Sequence, residues 1–294
     1  MHGTEQRNSA YALTAEDRAS WDAHRFVGPF TAWTPDETAA LRPRMLAAFR
    51  RPSTAYGFST IKNRHLDCLA IHQAGTHPAI LERIAQLLGP DLLLWRSRLF
   101  HKPPGADEIL YHQGRDWPGL HADVPSIEPA VAVTCWLALT ETTRANGCMK
   151  LVPGSHHAWH DLEPVEGHGL FGRGLKLKGF DDVEPTHFEL QPGQFFLFSE
   201  SVVHGSDANR SDADRTGVVF RYTPTSTRVY RDMAIDGAGM PTKGWHAVLV
   251  RGEDTHGHNK LGPPPQVDAP PMSVFRRALS PLRRRWYQRV HGMP

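Results

Sequence analysis

Between Leu92 and Tyr222 turn signals cut the chain every few residues, which leaves no room for a long helix there. Pro103-Pro104-Gly105, Asn146-Gly147, Pro153-Gly154-Ser155-His156 and Gln191-Pro192-Gly193 are the breaks. Proline fixes φ, and glycine admits conformations that other residues avoid. Between them lie short runs rich in β-branched and aromatic residues: Leu92 to Phe100, Ile109 to His112, Ala130 to Leu139, Cys148 to Val152, Phe188 to Leu190, Gln194 to Ser199 and Gly217 to Tyr222. Many short strands at this spacing predict a β-sandwich or barrel. Asn146-Gly147 is the strongest hairpin signal among the breaks.

The chain ahead of Leu92 has a different texture. Thr34-Pro35-Asp36-Glu37 offers a hydroxyl N-cap, a proline at the first helical position and two acids in the first turn. A helix through Phe49 follows. A second is expected from Pro78 to Leu88, where apolar residues recur at helical spacing until Gly89-Pro90. Residues 1 to about 33 read as polar and irregular, with Trp21, Phe26 and Phe30 as packing anchors. The chain has 294 residues, 40% hydrophobic, enough for one large domain with a sizeable core. One domain is expected over residues 1–262. Residues 263–294 read as a Pro-rich linker and a basic tail containing Arg283-Arg284-Arg285.

Charge and cysteine content narrow the function. A formal net charge of +2 gives no field that would favour nucleic acid. Three cysteines, Cys68, Cys135 and Cys148, form neither a disulfide framework nor a zinc pattern, so reduced thiols in the cytoplasm are expected. No signal peptide or membrane-length apolar run is visible. Eighteen histidines make any single one uninformative. Two stand in informative surroundings: His112 in YHQGRDWPGLHADVP and His204 in SVVHGSDANRSDADRTGVVFR. A distant pair of imidazoles suits iron, zinc, copper or nickel, and a carboxylate two residues after the first would complete the facial triad of a non-haem Fe(II) oxygenase. That place is Gly114. A His-x-Asp does occur nearby, at His121-Ala122-Asp123.

Taken together, Lys102-Pro103-Pro104-Gly105, Tyr111-His112-Gln113, Ala132 to Leu139, Asn146-Gly147-Cys148-Met149, Val152 to His156, Gln191-Pro192-Gly193 and His204-Gly205-Ser206 with Asn209 and Arg215 resemble the phytanoyl-CoA dioxygenase-like branch of the Fe(II)/2-oxoglutarate-dependent oxygenases. The resemblance covers roughly residues 92 to 225. It implies a mainly β double-stranded β-helix (a cupin-like jelly roll) with flanking helices, and an enzyme that uses Fe(II), 2-oxoglutarate and O2. It also implies that His112 and His204 ligate the metal. Arg215 would pair with the distal carboxylate of 2-oxoglutarate, as a guanidinium fork can, and Ser206 and Trp136 would also touch it. Arg221 and Tyr222 are further candidates for the barrel mouth.

The family pattern is His-Gln-Asp, and this chain has His112-Gln113-Gly114. Three readings follow. In the first, the missing carboxylate leaves a position that chloride fills, as in the halogenases that this motif resembles, and the product of aliphatic C–H attack is halogenated. In the second, Asp123 returns across the loop to the iron and hydroxylation survives. In the third, the barrel binds a metal without catalysis. The first is favoured. Arg115 and Asp116 follow the motif on a loop expected to face substrate, with Asp116 a further candidate carboxylate. The Gly167 to Gly179 loop carries Arg173, Lys176 and Lys178, which suggests a lid over an anionic small molecule, free or tethered to a carrier protein.

Overall fold

The computed structural model describes residues 10–49, 61–114, 127–167, 174–230 and 245–268. Helix α1 (Ala15–His24) starts at a reciprocal cap. The Thr14 hydroxyl accepts from the Asp17 N–H at 3.0 Å, and Asp17 Oδ2 accepts from the Thr14 N–H at 2.9 Å. Strand β1 (Phe26–Thr31) follows. Both lie where the sequence reads as irregular. Trp21 is the one buried residue of α1, so the helix carries little apolar periodicity to read.

Helices α2 (Pro35–Phe49), the short α3 (Leu69–Gly75) and α4 (Pro78–Leu88) complete the helical layer. Two of the three are those expected. Thr34 and Glu37 cap α2 reciprocally, and Gly89, at φ 95°, ends α4.

The strands β2 (Leu92–Lys102), β3 (Ile109–His112), β4 (Ile127–Glu128), β5 (Val133–Ala138), β6 (Met149–Leu151), β7 (Leu162–Pro164), β8 (Leu175–Leu177), β9 (Thr186–Phe188), β10 (Gln194–Ser199), β11 (His204–Ser206), β12 (Arg215–Pro224), β13 (Arg228–Val229) and β14 (Val248–Arg251) follow. Six form one sheet in the order β1-β10-β5-β12-β2-β14, and four form a second in the order β3-β11-β6-β9. The two sheets are the expected double-stranded β-helix.

Alternation along the central strands divides two cores. Cys135, Leu137, Phe195, Leu197, Val218 and Phe220 pack with Ile71, Ile80 and Ile84 of the helices. Their neighbours Trp136, Ala138, Phe196, Phe198 and Val219 face the smaller sheet and meet Met149, Leu151 and Phe188. Successive side chains on a strand point to opposite faces, so strands buried on both sides read as continuous apolar runs, as AVAVTCWLAL does. Among the described residues no helix is long and apolar enough to cross a membrane.

Three expectations change. Asn146-Gly147 does not join a hairpin. Strand β5 pairs with β10 and β12, while β6 pairs with β11 and β9, so this turn carries the chain from one sheet to the other. Asn146 holds it: Oδ1 accepts from the Thr143 N–H at 2.8 Å and Nδ2 donates to the Glu141 carbonyl at 3.0 Å. The Gly-rich segment contains a strand, β8, paired with β7. Lys176 there faces Asp181 and Glu163, so its charge is met by carboxylates flanking the segment, and Arg173 lies outside the described residues. Finally, the Pro-rich stretch expected as a linker is docked as far as it is described. Asp268 accepts from the Ala70 N–H at 2.7 Å and from Arg44 Nε at 2.8 Å, and the Val267 carbonyl accepts from the Leu69 N–H.

Candidate active site

Strand pairing brings the two distant histidines together. In the antiparallel pair β3–β11, His204 stands opposite His112, and the ring centroids are 4.2 Å apart. Each ring is oriented by its own strand. His112 Nδ1 lies 2.9 Å from the Leu110 carbonyl, and His204 Nδ1 lies 2.8 Å from that of Val202. A carbonyl only accepts, so Nδ1 carries the proton in both and Nε2 holds the lone pair. This is how metal-binding imidazoles are usually fixed.

Burial pushes the His112 imidazole down to about 4, with Arg221 and Arg98 adding to the effect, and lowers that of His204 for the same main reason, with His112 adding. Both rings are therefore neutral at ordinary pH, the state in which imidazole binds metal. Gln113 pins the segment after His112, donating to the carbonyls of Ala158 and Ser201 and accepting from the His160 N–H.

The histidines open on a cavity of about 210 Å³. Trp136, Arg215 and Ser206 line it, with Phe100, Met149, Phe198 and Val219 as apolar walls. Arg215 is fully buried. Its Nη1 donates to the Gly147 carbonyl at 2.8 Å, and its guanidinium carbon lies 5.4 Å from the centre of the Trp136 ring. Burial lowers its pKa to about 10, so it stays charged. Three buried polar atoms here have no hydrogen-bond partner among the described residues: Arg215 Nε, Trp136 Nε1 and Thr134 Oγ1. Orphaned buried polar atoms are costly. A buried cation flanked by orphans fits an absent anionic ligand with several acceptor oxygens, as the two carboxylates of 2-oxoglutarate are.

One group bonded to this wall was not marked as a site residue by the sequence. Lys102, at the end of β2, donates from Nζ to Ser206 Oγ at 2.9 Å and also to the Asp207 carbonyl. Burial, with Arg215 adding, lowers it to about 8. Strand parity gives the signal for it: Lys102 shares the parity of Arg98 and Phe100, which line the cavity. Unbroken alternation along β12 corrects the expectation for Tyr222, which follows Val218 and Phe220 onto the opposite face. Its ring packs in the helical core, and its hydroxyl donates to the Gly75 carbonyl at 2.5 Å. Arg221 does line the cavity.

Gly114 also lines the cavity, beside Glu200. Its N–H donates to the Glu200 carbonyl at 2.7 Å. A Cβ at position 114 would lie 2.6 Å from Glu200 Cβ and 2.9 Å from Glu200 Oε2. Arg221 Nε lies 2.8 Å from Glu200 Oε1, close enough for an ion pair, yet that oxygen makes no aligned hydrogen bond. Among the described residues no third histidine, cysteine, aspartate or glutamate joins the histidine pair as a metal cluster. Arg115, Asp116, His121 and Asp123 lie outside the described residues.

Comparison with known proteins identifies the family. Residues 26–217 match the family model described as phytanoyl-CoA dioxygenase (PhyH). A probable phytanoyl-CoA dioxygenase of Caenorhabditis elegans is 28% identical over 156 residues, 50% of this chain and 48% of that protein. The chain thus spans about half the length of such curated relatives. The dioxygenase trt7 of Aspergillus terreus is 26% identical over 212 residues, 66% of this chain and 69% of that one. Among solved structures, CytC3 with Fe(II) and alpha-ketoglutarate superposes with a TM-score of 0.70 at 26% identity, covering 90% of this chain and 98% of the other.

Proposed function

Because the chain belongs to the phytanoyl-CoA dioxygenase (PhyH) family, we propose that it is an Fe(II)- and 2-oxoglutarate-dependent enzyme that attacks an aliphatic C–H bond of a small molecule. His112 and His204 would hold the iron. Arg215, Lys102, Ser206 and Trp136 would hold 2-oxoglutarate. The bound iron, with 2-oxoglutarate and O2, supplies the oxidising power. The protein's own part is positioning. The Leu110 and Val202 carbonyls fix which imidazole nitrogens face the metal, and the buried guanidinium of Arg215 fixes the co-substrate. Phe100, Met149, Phe198 and Val219 exclude water. The observation that carries the reading is the co-substrate wall: a buried charged Arg215 with an orphaned Nε, beside the orphaned Trp136 Nε1 and Thr134 Oγ1, on the same cavity as the two histidines.

For the product, we infer halogenation with chloride. Two observations support it: position 114 carries no side chain, and Arg221 offers a cation on the same cavity. An anionic halide and an anionic carboxylate would compete for one positive metal position. Hydroxylation with Asp123 as the carboxylate ligand is the second reading. It is favoured by the crowding at Gly114, where the Glu200 carboxylate already stands.

Anaerobic addition of Fe(II) and 2-oxoglutarate should give a visible metal-to-ligand charge-transfer band. His204→Ala should lose iron binding and the band. Arg215→Ala should keep the iron and lose the band at moderate 2-oxoglutarate. A full band in Arg215→Ala would sink the co-substrate assignment. Chloride should shift the band under halogenation and leave it unchanged under hydroxylation.

A further inference from the structure

Position 114 is bare, but the space beside it is not. Glu200 sits on the turn between β10 and β11, four residues before His204. Its carboxylate reaches to within 2.9 Å of where a side chain at 114 would begin. That carboxylate is mostly buried, with 14% of the side chain exposed, and so is the guanidinium facing it, at 18%. Among the described residues Arg221 is the cation that pairs with this carboxylate, and it lines the same cavity as His112, His204 and Gly114. Its contact with Glu200 is short but poorly aligned, so the pair is a close approach without a locked fork. A carboxylate held this way neutralises the cation that a small anion in the cavity would need.

We propose that Glu200 is a specificity-determining residue that competes with a small anion for Arg221, and so sets how strongly the position opened by Gly114 takes up halide. The inference rests on the two-histidine metal site proposed above. Loss of the Glu200 charge leaves Arg221 uncompensated, and anion binding tightens. Loss of Arg221 leaves the Glu200 charge uncompensated, and anion binding weakens. Damage to the fold would weaken binding in both variants, so the opposite signs are the signature.

The test uses the full chain loaded with Co(II) and 2-oxoglutarate under anaerobic conditions. Sodium chloride is titrated at constant ionic strength and followed by the visible d–d bands. Glu200→Gln, which keeps the side chain's shape, should tighten chloride by about tenfold, or ~1.4 kcal/mol. Glu200→Ala should do the same, because the bond from the Gly114 N–H goes to the Glu200 backbone. Arg221→Gln should weaken chloride. Saturable chloride binding to the wild type that Glu200→Gln leaves unchanged overturns the proposal and spares the halogenase reading. Binding that appears only in Glu200→Gln supports the proposal and overturns halogenation by the native chain. No binding in either overturns both. A clear loss of Co(II) affinity in Glu200→Gln would make Glu200 a metal ligand, and that also overturns both.

Discussion

Replacing Gly114 by alanine should destabilise the protein even though it adds a single methyl group. The new Cβ would stand 2.6 Å from Glu200 Cβ. Carbon atoms at rest sit about 3.5–4.0 Å apart, so the overlap is roughly 1 Å. The clash involves a Cβ, which cannot swing away as the end of a long side chain can. Nor is the backbone easy to move. The Gly114 N–H is bonded to the Glu200 carbonyl, and Gln113 is tied to Ala158, Ser201 and His160. Overpacking of this kind costs about 1–3 kcal/mol. Urea unfolding at constant pH measures it. The companion variant Glu200→Gly removes the Cβ that is struck, so the double variant should recover part of the loss. A double-mutant cycle should give a favourable coupling above about 0.5 kcal/mol. Recovery stays partial because the Glu200 carbonyl, 3.2 Å from the same Cβ, remains. A Gly114→Ala protein within about 0.3 kcal/mol of wild type, or strict additivity, would refute the packing argument. The result bears on the chemistry too. Gly114→Asp alone would combine a steric insult with a new carboxylate. Its effect on halide becomes readable only beside Gly114→Ala.

Gly147→Ala should damage both stability and co-substrate binding. Gly147 has φ 75°, a Cβ there would lie 2.2 Å from the Asp207 carbonyl oxygen, and its own carbonyl holds Arg215 Nη1. We expect 2-oxoglutarate affinity to fall about tenfold, the loss of roughly one charge-assisted hydrogen bond, as read by titration of the Co(II)-loaded chain; lower stability with unchanged affinity would refute the link. Stability should also fall with acidification. Burial holds the His65 imidazole well below its ordinary value, and His72, His112 and His204 are shifted the same way. The unfolded chain takes up these protons near pH 6.5. The stabilising contribution is therefore whole above that pH and is lost as the pH falls from there toward the folded values. Urea midpoints should drop between pH 7 and pH 5, with a shallower slope in His65→Gln; equal slopes would refute the assignment.

The strands were legible because both of their faces are buried. A run such as Val133 to Ala138 serves the helical core with one parity and the inner core with the other. Its apolar texture therefore survives any choice of face. The same logic hid α1, whose buried residue is Trp21 alone. The Asn146-Gly147 turn misled because local turn chemistry is the same whether a chain folds back on itself or crosses to another sheet. What decides is the partner strand, and β6 finds β11 about fifty residues away.

The candidate site divides in the same manner. His112, His204 and Arg215 could be named from motif order. The orphaned Thr134 and the lysine at 102 emerge only once the fold places the first on the cavity and the second in contact with its wall. Glu200 lies further from reach. It is 86 positions from Gly114, belongs to none of the motif pieces, and meets Gly114 only because β3 and β11 pair in a register that sets His112 opposite His204. That register forces the residues flanking each histidine together as well. A glycine after one histidine and an acid before the other are therefore two halves of one local packing solution. Read along the chain, Gly114 lacks a carboxylate; across the strands, a Glu200 carboxylate paired with Arg221 stands beside it. The chemistry at this position depends on that pair as much as on the bare glycine.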